Sequence, residues 1–138
     1  MENLFKNEFV SIDYSTNKSL LTLSWSGENE NIQKEVLKTI VIKFTELIIQ
    51  LKPSKILVDH TNQKFIFSVD IQNWVADSVG AAASVSGVKK WAAIMPNELI
   101  IELSTEQTVE ELSSKTFEIK YFRELNEAFL WLNIIPNS

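Results

Sequence analysis

The chain is predicted to form an α/β domain, a mixed five-stranded sheet that opens with an antiparallel hairpin, continues in parallel strands and carries about four helices. Three observations predict this. Apolar side chains recur every second residue through Glu8–Tyr14 and Leu20–Trp25, the period of a half-buried strand. From about Asn31 to Leu51 they recur at intervals of three and four, the period of a helix. Beyond Pro53, short apolar runs alternate with helical stretches, which implies crossover connections between parallel strands.

In order, Val10, Ile12 and Tyr14 fall on one side of the first strand, and Ser15-Thr16-Asn17-Lys18 supplies a polar turn. Leu21, Leu23 and Trp25 then line one side of the second strand, which Gly27 ends. The first helix turns Ile32, Val36, Ile40, Phe44, Leu47, Ile48 and Leu51 inward, with Leu37 and Val41 widening that face. Asn29 or Asn31 is its expected cap, and Pro53 its stop. Lys55–Asp59 reads as a strand apolar on both faces, suited to the middle of a sheet covered on two sides. A second helix begins near Ser68 or Asp70, turns Ile71, Trp74, Val75 and Val79 inward, and closes at Gly87. Val88–Met95 is a further buried strand, stopped by Pro96. Asn97–Ser114 is expected to be helical, in two pieces broken near Ser104-Thr105. Phe117–Phe122 is the last strand, and Glu124–Leu132 a closing helix with Leu125, Ala128, Phe129 and Leu132 inward. No linker, repeat or low-complexity segment interrupts this plan, so all 138 residues are assigned to one domain with its core at about 8–133.

Composition removes several chemistries. With no cysteine there is no disulfide, thiol catalysis or thiolate metal site, and one histidine with no Ca2+-loop spacing of carboxylates argues against a metal. A net charge of −5 and scattered lysines, the densest spot being Lys89-Lys90, argue against nucleic acid, whose phosphates call for a basic stripe. Gly27, Gly80 and Gly87 are isolated, so no phosphate-cradling loop is present and no cofactor is expected. Met1–Phe9 has no apolar run typical of a leader, and Val36–Leu51 is broken by charges well short of the roughly 20 apolar residues of a membrane span. A cytoplasmic location is the expectation.

Several runs resemble the SpoIIAA-like branch of the STAS fold, the domain shape of bacterial anti-sigma-factor antagonists. They are Leu23-Ser24-Trp25-Ser26-Gly27, Lys55-Ile56-Leu57-Val58-Asp59, Trp74 in the second helix, and above all Tyr121-Phe122-Arg123-Glu124-Leu125-Asn126-Glu127-Ala128-Phe129-Leu130-Trp131-Leu132. The resemblance implies a closing helix that folds back on the sheet, and kinship in architecture with Sec14-type lipid-binding domains. In phosphorylation-switched antagonists an Asp-Ser-Ser-Gly type motif starts the helix after the central strand. The comparable stretch here, Phe67-Ser68-Val69-Asp70, lacks the glycine and puts valine at the target position. Ser68 is therefore read as a helix cap first and a phosphorylation target second, with Thr61 also open.

Candidate site residues gather after the central strand. Asp59 and His60 end it, where ligands of open α/β sheets bind. Adjacent strand residues point to opposite faces, so a catalytic pair is not expected. Asp59 is expected to bond loop backbone and His60 to sit at the surface or rim. Phe65, Ile66 and Phe67 put three large apolar side chains in a loop, and Leu99, Ile100 and Leu103 exceed what one helix face needs. Local packing, an apolar pocket or a partner surface would each account for the loop. Trp25, Trp91 and Trp131 are read as core or edge cover, and Glu106–Glu111 as a solvated face. The expected function is a non-enzymatic interaction or regulatory domain, acting as a homodimer or with another protein. The alternative is a carrier of a small apolar ligand or lipid.

Overall fold

The computed structural model describes residues 1–112 and 116–134. It contains six strands rather than five, ordered in space as they occur in the chain. These are β1 (Glu2–Lys6), β2 (Val10–Ser15), β3 (Leu20–Trp25), β4 (Lys55–Asp59), β5 (Lys90–Ile94) and β6 (Glu118–Phe122). β1, β2 and β3 pair antiparallel, and β3 to β6 pair parallel. The additional strand, β1, forms the antiparallel edge, and Leu4 and Phe5 pack against the core, which therefore begins before residue 8. Its alternation was hidden by a register shift between Asn3 and Phe5, which breaks the period of two within a five-residue strand.

Helix α1 (Lys34–Leu51) starts three residues later than its periodicity suggests and buries Leu37, Ile40, Val41, Phe44, Leu47 and Ile48. Neither asparagine caps it. Asn29 is fully buried and ties two loops together, donating to Ser26 O and Asn62 O while its Oδ1 accepts from Lys64 N at 2.7 Å. Lys52, in the left-handed region, ends the helix ahead of Pro53. Helix α2 runs through three segments, α-helical Val69–Val75, π-helical Ala76–Gly80 and α-helical Ala81–Ser86, and ends at Gly87 with φ 91°. Helix α3 (Leu99–Leu112) is continuous, not broken at Ser104-Thr105. Both residues are buried and their hydroxyls take tertiary bonds instead of disrupting the helix. Ser113 and Ser114 lie outside the described residues. Helix α4 (Leu125–Trp131) buries Ala128 but leaves Leu125 exposed.

Because spatial order follows chain order and parallel crossovers are right-handed, α1, α2 and α3 all fall on one face of the sheet. The side-chain clusters agree. Leu21, Leu23, Trp25, Ile56, Val58, Trp91 and Ala93 pack with the buried sides of those three helices. Leu20, Leu57, Ala92 and Ile94 point the other way, onto Ala128, Leu132 and Ile134. Phe122 and Trp131 meet at 5.8 Å between ring centroids, and Lys90 Nζ donates to Trp131 O, so the closing helix folds back against the sheet.

Candidate functional site

Strand alternation positions the first element of the site. His60 N donates to Ile94 O at 2.8 Å, which extends the β4–β5 pairing one residue past Asp59. His60 thus shares the helix-covered face with Ile56 and Val58, and is only 5 % exposed. That corrects its expected place at the surface, since the alternation that points Asp59 away also turns the imidazole inward. Asp59 does bond loop backbone, accepting from Thr61 N at 3.0 Å and from the Thr61 hydroxyl. The two side chains leave the strand on opposite faces of the sheet.

The buried imidazole is held in one tautomer. Gln63 Nε2 donates to Phe65 O at 3.0 Å and to Thr105 Oγ1 at 2.9 Å. A backbone carbonyl can only accept, so the Gln63 amide is oriented with Oε1 towards His60 Nδ1, 2.7 Å away. Nδ1 therefore carries the proton and Nε2 is a lone-pair acceptor, buried and without a partner among the described residues. Burial lowers the His60 pKa to about 4 against the weaker raising effects of the Gln63 bond and the Asp59 charge, so the ring is neutral at pH 7.

Beside this ring lies a cavity of about 60 Å³ between the sheet and the three helices, lined by Leu23, Trp25, Val58, His60, Phe67 and Val79 among others. Its wall is apolar. Trp25 and Trp91, also in the lining, each hold a buried Nε1–H without a partner among the described residues. Trp25 meets the edge of Phe65 at 4.9 Å, and Phe65 meets Phe67 at 5.2 Å. The loop aromatics are thus core anchors, not an exposed surface, and only Ile66 between them faces solvent. Phe67 is fixed further by Ser104, whose Oγ accepts from Phe67 N at 2.8 Å.

The second feature is an apolar rim outside the cavity. Ile66 is 56 % exposed, Leu99 67 % and Ile100 68 %, with Val69 and Leu103 also exposed. The Phe67–Ser104 bond ties the loop that carries Ile66 to the helix that carries Leu99, Ile100 and Leu103. Leu103 and Gln72 of α2 border one surface hollow, and Val69 is the first residue of α2. Charges flank the rim in pairs. Lys34 bonds Asp70, lowering its pKa to about 2, Lys64 pairs with Glu28, and Arg123 with Glu102. On the far side of α3, burial and the Glu110 carboxylate push the Tyr121 hydroxyl well above its ordinary pKa.

Ser68 occupies the N-cap position of α2, but its hydroxyl bonds Asp70 Oδ1 at 2.6 Å instead of capping backbone N–H groups. Of the expected site residues, the structure gathers His60, Phe65 and Phe67 inside, and Ile66, Leu99 and Ile100 outside. Asp59 faces away. Gln63, Ser104 and Thr105, which set the orientation of the ring and loop, carried no signal in the sequence. Among the described residues, no three His, Asp or Glu side chains are grouped to hold a metal ion, and no helix is long and apolar enough to cross a membrane. Comparisons with protein-family models, curated proteins and solved structures find no match to this chain.

Proposed function

We propose that the domain is a contact module of SpoIIAA-like architecture that pairs with a second copy of itself through the rim formed by Ile66, Val69, Leu99, Ile100 and Leu103. The observation that carries this reading is the exposure of five aliphatic side chains contributed by the loop at Ile66, the first residue of α2 and the first turns of α3, with a buried hydrogen bond tying the loop to α3. Scattered apolar residues on a surface need no explanation. The largest apolar patch on a typical monomer, roughly 300–600 Å², is often functional. The rim residues sit on two helix ends and an anchored loop, so little ordering is required on association. The strand and helix order, and the closing helix folded back on the sheet, support the architectural part of the proposal. No catalytic step is assigned, because His60 is sealed in the interior and Asp59 points to the other face.

Sedimentation velocity tests the reading directly. The wild-type chain is expected to sediment as a dimer at tens of micromolar, and Leu99→Glu with Ile100→Glu as a monomer with unchanged far-UV circular dichroism. A wild-type monomer across that range, or a dimer untouched by the two glutamates, rejects it.

A further inference from the structure

The two edges of the sheet are unlike, and the difference carries an inference separate from the rim. We propose that β6 is a second, weaker contact site, which pairs edge to edge and antiparallel with β6 of another copy about a twofold axis through Ile119. The outer strands of the sheet are β1 and β6. β1 is broken by its register shift between Asn3 and Phe5, and the Asn3 amide donates to Phe5 O and Ile12 O across the irregularity. A bulge of this kind protects an edge from further pairing. β6 has none and keeps unbroken register with β5 from Glu118 to Phe122.

Hydrogen bonding fixes which backbone groups the edge offers. Glu118 N donates to Lys89 O at 2.9 Å and Phe122 O accepts from Met95 N at 2.9 Å, so these residues turn their backbone towards β5. By alternation Ile119 turns its N–H and C=O the other way, to the open edge. An antiparallel copy must set outward residues opposite one another, which puts the twofold axis through a residue of the strand. Charge then selects the residue. An axis through Glu118 or through Lys120 brings like charges face to face, which destabilises the pair. An axis through Ile119 sets each Glu118 opposite the other copy's Lys120, with Ile119 against Ile119 between them. Glu118 and Lys120 are both exposed, and neither holds an ion pair among the described residues. Lys90, across from Glu118 on β5, is committed to Trp131 O. An edge lysine ordinarily discourages pairing, but in this register Glu118 supplies its counter-charge. Such self-complementarity is what a twofold contact between identical chains requires.

A five-residue strand offers far less than the roughly 1,600 Å² of a standard interface, so a dissociation constant of about 1 mM is expected. The contact is measured by NMR on Leu99→Glu with Ile100→Glu, in which the rim does not contribute. The Ile119 amide is expected to exchange about twofold more slowly at about 2 mM than at about 0.1 mM, the change that this constant implies. In an isotopically mixed sample, an NOE is expected between Hα of Glu118 in one copy and Hα of Lys120 in the other. Their Cα atoms lie about 4.5 Å apart across the pair but roughly 6.6 Å apart along one strand. Lys120→Glu is expected to abolish both signals, and Glu118→Lys with Lys120→Glu to restore them. Exchange of Ile119 that does not depend on concentration up to about 2 mM overturns the contact. Signals that survive Lys120→Glu, or a loss that the charge swap does not restore, overturn the register. The rim dimer is read by sedimentation at tens of micromolar, where the edge is barely paired, so failure of either contact leaves the other standing.

Discussion

On the helix-covered face of the sheet, Leu21, Leu23, Trp25, Ile56, Val58 and Trp91 are sealed under α1, α2 and α3. The opposite face is sealed only where α4 reaches, over Leu20, Leu57, Ala92 and Ile94, and beyond it turns polar at Ser11, Asp13 and Ser24. One face lies under three helices. It encloses the cavity, the unpaired ring nitrogens and His60. The other lies under one short helix, with Phe122, Phe129 and Trp131 partly buried against Leu20, Leu57, Ala92 and Ile94. The difference lies in the number of elements that meet: the cavity is bounded by residues of the sheet and of all three helices.

The largest expected effect contrasts the two faces. Trp91→Ala, which removes a ring packed against both Phe44 and Phe117, is expected to cost about 3–5 kcal/mol in urea denaturation. Leu132→Ala on the far face is expected at about 2 kcal/mol, because Leu132 ends the short closing helix, which can settle towards the sheet into the gap. Equal costs would show that both faces are equally rigid. Next comes pH. The folded pKa of His60, about 4, lies below its unfolded value near 6.5, so between those values the unfolded chain binds more protons. Stability is therefore flat above pH 7 and falls as pH drops from 6.5 to 4, by on the order of 3 kcal/mol from this residue alone. Denaturation of the wild type and His60→Gln at pH 7, 5.5 and 4 isolates the contribution; parallel losses in both proteins would place the imidazole in solvent. The smallest effect belongs to the rim. Ile100→Ser is expected to change the stability of the monomer by no more than about 0.5 kcal/mol, since the side chain buries little, and a larger loss would mean that the rim is core.

The sequence reading succeeded where a single period governs a whole element. Apolar spacing in α1, alternation in β2 and β3, and the stop at Gly87 are each set within a few neighbouring residues. It missed β1, where a bulge disrupts a five-residue strand, and it divided α3 at Ser104-Thr105 because those residues favour caps when nothing else claims their hydroxyls. The loop Phe65–Phe67 shows the same boundary at the site. Its oiliness was plain, but not that alternate residues point in and out, two aromatics anchored and one isoleucine left free.

What the chain's own order of residues determined is local. It set the periods that make strands and helices, the absence of thiol chemistry, and the alternation that separates Asp59 from His60. Only the tertiary structure decided that His60 lies in the interior as a neutral acceptor, because the Gln63 amide that orients its ring is itself held by Thr105, on a helix far along the chain. It alone tied the Phe67 loop to Ser104 of α3, since hydrogen bonds and burial between distant segments arise from packing, which no local period encodes.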